Sequence, residues 1–203
     1  MDPRTGTMPL AASQLDVATP RRLAPDGVRL ATRRLRLRPM TPADVERIGG
    51  ASGEIDGNAL SAPGLDRDAL EELRLQFARE WNAHGIGYLM VFEAETGAPV
   101  GHVRLKWIRD FASGRAAELT YAIDAPSQGR GYATEAVGAV LTFAFEDAGL
   151  DYVVACVEPD NLASVRVVEK NGMAAVAQGR THQRQMRRYL MPAAMWRAQE
   201  WAR

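Results

Sequence analysis

The sequence predicts an α/β fold: a mixed sheet with helices on its faces. Three observations carry that expectation. The apolar period switches along the chain between the alternation of a strand and the three-or-four spacing of a helix. Two apolar runs within YLMVFEAETGAPVGHVRLKWI meet around Glu95-Thr96-Gly97, a hairpin signature. From residue 118 to 158 a strand, a glycine-rich turn, a helix and a second strand follow one another.

Residues 1–27, rich in Pro, Ala, Ser and Thr, read as an extension, and the domain as residues 28–203. Leu35 and Leu37 alternate with Arg34, Arg36 and Arg38, the period of a half-buried strand. TPADVERI then opens a helix with Thr41 as N-cap and Pro42 at its first position. Glycine-rich residues 49–64 read as loop. In DALEELRLQFAREWNAHG, Leu70, Leu73, Phe77 and Trp81 mark one helix face, and Gly85 is the stop. The hairpin follows, with ELTYAID, 118–124, as a third strand. Ala133, Ala136, Val137, Val140, Leu141, Ala144 and Ala148 trace the next helix, closed by Gly149. YVVACVE, 152–158, is a continuous apolar run fit for a covered strand. Asp160 or Asn161 caps a short helix that stops at Asn171-Gly172. Short strands near 174–177 and 185–191 precede a terminal helix carrying Trp196 and Trp201.

With 203 residues, 46% hydrophobic and 25% charged, the chain suits one soluble domain with a substantial core. Lys+Arg and Asp+Glu both number 25, so no global charge steers it to nucleic acid or an anionic membrane. Its single cysteine, Cys156, allows no internal disulfide and no multi-cysteine zinc site. The three histidines lack metal-ligand spacing. No apolar run is long enough to span a bilayer, and no signal-like start is present, so a cytoplasmic protein without metal is expected.

The stretch SQGRGYATEA, 127–136, places Gly129, Gly131 and Ala133 at the start of a helix. The first amides of a helix lack intrahelical partners and sit at the positive end of its dipole. Small residues there let a diphosphate reach those amides, although the same residues would also serve a plain tight turn. A dinucleotide fingerprint fits poorly, because Thr134 replaces its third glycine and five residues separate Ile123 from the turn. No Gly-Lys-Ser/Thr of a phosphate-binding P-loop follows.

Gln128-Gly129-Arg130-Gly131-Tyr132-Ala133 resembles the Q/R-x-x-G-x-G/A pyrophosphate loop of the GNAT superfamily of acetyl-CoA-dependent N-acetyltransferases. GYATEA, 131–136, and NLASVRVVEKNGM, 161–173, resemble the branch that contains the RimJ and RimL acetylases of ribosomal-protein N-termini. The resemblance runs over roughly residues 30–192. It implies a single domain with a twisted, mostly antiparallel sheet whose two central parallel strands splay apart for the pantetheine arm.

The resemblance also implies roles. Amides from Gly129 through Thr134, by way of Arg130, Gly131, Tyr132 and Ala133, bind the pyrophosphate with the Gln128 side chain. Arg130 adds a charged contact or is a solvated loop arginine. Main-chain groups near Ile123 run beside pantetheine and supply an oxyanion donor. Asn161 bonds the pantetheine arm, caps the next helix, or does both. Glu118 is the expected base, against the plain alternative of a strand-end charge in solvent, and its pKa must rise for that work. Tyr121, on the opposite strand face, lines the acceptor pocket or packs.

Position 168, where many members place an acidic tyrosine, is valine. Ser164 is the branch's candidate acid and a further coenzyme contact, or an ordinary first-turn serine. Cys156, inside an apolar strand, is expected to be inert. The arginine runs at 33–38 and 180–188 read as solvated strand faces rather than an RNA surface. The expected partners are acetyl-CoA, an amine acceptor and, in a homodimer, a second copy of the chain. The activity implied is acetyl transfer to a protein N-terminal or small-molecule amine, with a non-catalytic acyl-CoA-binding module as the alternative.

Overall fold

The computed structural model describes residues 25–41, 43–44, 67–112, 114–181 and 184–200. Alternation sets its first strands. Leu35 and Leu37 are buried while Arg36 is exposed in β2 (Leu35–Pro39), which pairs with the short β1 (Leu30–Ala31) and with β3 (Tyr88–Glu93). The hairpin continues into β4 (Pro99–Phe111) and β5 (Gly114–Ile123), and β6 (Tyr152–Val157), β7 (Ala174–Thr181) and β8 (Arg184–Pro192) complete one sheet in the order β1-β2-β3-β4-β5-β6-β8-β7. The helices are α1 (Arg67–His84), α2 (Tyr132–Thr142), α3 (Leu162–Lys170) and α4 (Ala193–Glu200).

Every neighbouring pair is antiparallel except β5 and β6, which are parallel and paired only at Ala116↔Tyr152, Ala117↔Val153 and Glu118↔Val154. Beyond Glu118 each keeps its outer partner. β4 follows β5 to Gly101↔Ile123, and β8 follows β6 to Val157↔Arg187. The two central strands therefore separate with their outer edges still paired, and a gap opens toward their C-terminal ends.

The core fills one face of this sheet. Ala136, Val137, Val140 and Leu141 of α2, with Val165 and Val168 of α3, pack on Leu89, Val91, Val103, Leu105, Leu119, Val153 and Ala155. Each fully buried aliphatic side chain contributes about 1.5–3 kcal/mol. α1 reaches the opposite face. Its Phe77 ring lies 4.5 Å from Tyr88 and its Glu80 bonds Arg104 at 2.5 Å. After α2 a π-helical turn, Phe143–Asp147, keeps both Phe143 and Phe145 inward, the latter 6.0 Å from Trp196 of α4.

The structure lengthens what the periodicity marked. β5 begins four residues before the predicted ELTYAID run, because Gly114, Ala116 and Ala117 are held by pairing with β4, the two alanines also with β6, rather than by any apolar pattern of their own. β7 and β8 extend as a polar hairpin joined through Thr181↔Arg184. Asn161, not Asp160, caps α3. Of the predicted helix TPADVERI only its opening is described. There Asp44 accepts the Thr41 amide at 2.7 Å and the Arg38 guanidinium at 2.6 Å. Burial raises the Asp44 carboxyl pKa, but the bonds from Arg38 and Thr41 outweigh it and hold it below the usual value. The rest of that helix, the loop 49–64, Trp201 and residues 1–24 of the extension lie outside the described residues.

Candidate active site

The glycine-rich turn lies between the end of β5 and the start of α2. Gly129 and Gly131 take φ values of 74° and 80°, the left-handed region that a side chain disfavours by about 1–2 kcal/mol. Gly131 is the N-cap of α2, and no side chain caps the helix there. The first intrahelical bond runs from Glu135 N–H to the Gly131 carbonyl at 3.2 Å. The α-helical pattern therefore leaves the amides of Tyr132, Ala133 and Thr134 without helical acceptors. A Cβ on Gly129 would meet nothing within 4 Å, so the turn is open on that side. Unpartnered donors, a positive dipole end and free approach together fit an anionic phosphate group.

The remaining side chains of the turn bond back to the sheet, Gln128 and Arg130 from exposed positions and Tyr132 from a buried one. Gln128 Nε2 donates to the Ile123 carbonyl at 2.8 Å and closes the turn on its strand. Arg130 pairs with Glu93 at 2.7 Å, and its guanidinium sits 4.6 Å over the Tyr132 ring. Tyr132 is buried and its hydroxyl donates to Glu93 at 2.5 Å, so only its main chain faces the turn. Periodicity places neither Glu93 nor Glu135 in the site. Glu93 ends a strand and Glu135 sits among the small residues of the α2 start.

The gap between β5 and β6 is polar at its main chain. The Asp124 amide bonds the Val100 carbonyl at 3.0 Å in the β4–β5 register. By antiparallel alternation, even-numbered residues of β5 direct their backbone groups to β4, and Tyr121 and Ile123 direct theirs to the gap. The side chains alternate as well. Ala117 and Leu119 belong to the core, with Tyr121 and Ile123 packed against it, so Glu118 and Thr120 occupy the other face. The predicted opposition of Glu118 and Tyr121 is therefore present.

Tyr121 spans the gap, its hydroxyl donating to the Ser164 carbonyl at 3.1 Å. Ser164 donates its amide to Asn161 Oδ1 at 3.0 Å, so Asn161 is a true N-cap. Asn171, buried at the end of α3, donates to the Thr134 carbonyl at 3.2 Å and ties α3 to the first turn of α2. The sequence marks Asn171 only as a helix stop.

Glu118 lies at the last paired position of the parallel ladder, where the gap begins, opposite Lys106 of β4. Cys156 shares its face, since Val153, Ala155 and Val157 of β6 belong to the core. Burial, then the nearby carboxylate, pushes the Cys156 thiol pKa up, which keeps it protonated and poorly nucleophilic. Val168 is fully buried in the core. A cavity of about 440 Å³ lined by Glu158, Asp160, Arg184 and Gln185 opens where β6 passes into α3, next to Asn161. Among the described residues no helix is long and apolar enough to cross a membrane, and no trio of His, Cys, Asp or Glu gathers in metal-binding geometry.

This combination, a parallel pair that parts beside a glycine-opened helix N-terminus, is the arrangement that the acetyltransferase resemblance implies. Residues 34–174 match the sequence model of the Acetyltransferase (GNAT) domain, and the chain belongs to that family. An uncharacterised N-acetyltransferase of Bacillus subtilis, YnaD, is 36% identical over 56 residues, 28% of this chain and 33% of that protein. The match thus spans about a third of the length of that curated relative. An acetyltransferase structure from Agrobacterium tumefaciens is similar with a TM-score of 0.64 at 27% identity, covering 81% of this chain and 94% of that one. A ribosomal-protein-S5-alanine acetyltransferase from Vibrio fischeri has a TM-score of 0.67 at 18% identity over 83% and 98% of the two chains. At that identity the last likeness bears on fold alone.

Proposed function

We propose that the protein is an acetyl-CoA-dependent N-acetyltransferase of the RimJ/RimL-like branch, acting in the cytoplasm on a primary amine by direct attack in a ternary complex. The observation that carries this reading is the end of the β5–β6 ladder at Glu118↔Val154, which opens a backbone-lined gap leading from the free amides of the α2 N-terminus.

In this reading the amides of residues 129–134 hold the diphosphate, and the backbone of Tyr121 and Ile123, with Asn161, aligns the pantetheine arm. The acceptor comes from the Glu118 face of the sheet. Its amine nitrogen attacks the thioester carbonyl carbon. Glu118, directly or through one water, takes the proton that the amine loses. The C–S bond breaks as the carbonyl re-forms, and the coenzyme thiolate leaves. An amide facing the gap steadies the transient oxyanion. Holding both reactants in line supplies much of the rate. A coenzyme thiol leaves at a pKa of about 8.5 without obligatory help, so the buried valine at 168 is no obstacle and Ser164 supplies at most a hydrogen bond to sulfur.

The acceptor is a protein N-terminus or a small-molecule amine. The test is acetyl transfer from acetyl-CoA to a panel of peptides and aminated small molecules, read by mass and by thiol release. Transfer to at least one class is expected. Tight coenzyme binding with no transfer to any amine would instead mark a non-catalytic acyl-CoA-binding module.

A further inference from the structure

Two carboxylates outside the turn converge on it from the sheet and from α2. Glu93 ends β3, and the register Leu35↔Glu93 sets it beside Arg34, whose carbonyl accepts the Ala94 amide at 2.8 Å. Glu93 Oε1 receives both the Arg130 guanidinium at 2.7 Å and the Tyr132 hydroxyl at 2.5 Å. Its Oε2 takes the Thr96 hydroxyl at 2.8 Å.

Glu135, in the first turn of α2, receives the Thr32 hydroxyl at 2.5 Å and the Arg34 amide at 2.9 Å on one oxygen, and Arg34 Nε at 2.7 Å on the other. Arg34 then reaches the turn itself, donating Nη1 to the Arg130 carbonyl at 2.9 Å. The Tyr132 ring lies within 5.0 Å of both guanidiniums. Residue 130 is thus held by its side chain through Glu93 and by its carbonyl through Arg34. Two carboxylates and two guanidiniums cancel in charge, so the brace adds no repulsion toward an anion.

The turn needs such a brace. Two glycines at positive φ populate left- and right-handed backbone with similar ease, so an unheld turn spreads over many conformations. Apparent affinity falls in proportion to the fraction that is competent to bind.

We infer that Glu93 and Glu135 are positioning residues for the coenzyme. They fix the glycine turn in its binding conformation through Arg130, Tyr132 and Arg34, and Arg130 serves this brace rather than contacting the diphosphate. The inference rests on the acetyl-CoA reading. It departs from the sequence-based expectation in which Arg130 is a diphosphate contact.

The test is calorimetric titration of coenzyme A into the wild type, Glu93→Gln, Arg130→Ala and the double variant, with steady-state kinetics and amide exchange of residues 128–132 in the free protein. Glu93→Gln is expected to weaken coenzyme binding about tenfold by lowering the competent fraction. Maximal turnover should stay within about twofold, and the turn amides should exchange faster. Arg130→Ala should cost a similar factor, and the double variant little more than either single one, because both remove the same brace.

Tighter binding in Glu93→Gln would show Arg130 released onto the diphosphate and would overturn the inference. A full further loss on adding Arg130→Ala would do the same. Should Glu93→Gln fail to fold, Tyr132→Phe removes one hydroxyl from the brace and is expected to weaken binding about threefold. Unchanged binding there would count against the brace. Wild type that binds no coenzyme overturns the acetyl-CoA reading and the brace together, whereas normal wild-type binding with unchanged variants overturns the brace alone.

Discussion

Replacing Gly131 by aspartate tests the phosphate site at the N-cap of α2. The residue sits at φ 80°, where an L side chain costs up to about 1–2 kcal/mol, less for aspartate and asparagine, which tolerate the left-handed region better. A Cβ there would stand 3.4 Å from Arg34 Nη2, an ordinary contact, so no clash adds to the strain. For a domain of this size the melting temperature should fall by about 2–4 °C per kcal/mol.

Binding should suffer more. A carboxylate about 5 Å from the nearest phosphate charge, at an effective dielectric between about 20 and 80, repels it by roughly 1–3 kcal/mol. Affinity for coenzyme A should then drop by roughly five- to a hundredfold. Gly131→Asn separates the contributions, since it carries the strain and the bulk without the charge. Calorimetry on all three proteins, beside thermal melts, gives the comparison. If both variants fold and bind the coenzyme like the wild type, the reasoning about the α2 N-terminus is wrong.

Glu118→Gln should leave coenzyme affinity unchanged and lower turnover by about a hundredfold or more at neutral pH, the smaller end of what a positioned base contributes. An unaltered rate removes Glu118 from proton transfer. Cys156→Ser should retain activity within about twofold, and wild-type Cys156 should react slowly with iodoacetamide at pH 7, since its thiol is held protonated. Rapid alkylation with loss of acetylated product would point to a covalent route through Cys156.

The carboxyls of Asp44, Glu93 and Glu135 all lie below their ordinary values in the folded protein. Their stabilising contribution is complete above the unfolded carboxyl pKa of about 4 and is lost as pH falls through the folded values. Chemical denaturation between pH 7 and pH 3 should therefore show these three carboxyls' contribution lost at the acid end, below an earlier fall through about pH 6.5 from His84, whose burial lowers its imidazole pKa. Asp44→Asn should reduce stability at neutral pH and flatten the acid-end fall.

The sequence discloses what depends on local pattern. Leu35 and Leu37 announce β2, the stops at Gly85 and Gly149 are where chain direction changes, and the cap of α3 is legible to within Asp160 or Asn161. The glycine turn is visible because positive φ has few alternatives to glycine. What depends on pairing at a distance is not. The early start of β5 at Gly114 comes from its neighbours β4 and β6, and the parting of β5 from β6 is a fact of register that a run of apolar residues does not encode.

The arginine run at 33–38 reads as a solvated face. Arg36 is indeed exposed, but Arg34 and Arg38 are half-buried and bound to Glu135 and Asp44. Those partners stand 101 and 6 positions away, and no periodicity connects residues so unequally spaced. Arg130 shows the same limit. Its place in the turn suggests a phosphate contact, and only the position of Glu93 across the sheet end reveals its present bond.

One titration bears most directly on whether free amides at the α2 N-terminus seat a diphosphate. Coenzyme A and its fragment pantetheine, which lacks the diphosphate, are titrated into the folded wild-type protein under identical conditions. Saturable heat from coenzyme A, with pantetheine bound at least a hundredfold more weakly, is the expected result. Equal affinities for the two, or no heat from coenzyme A, would contradict it.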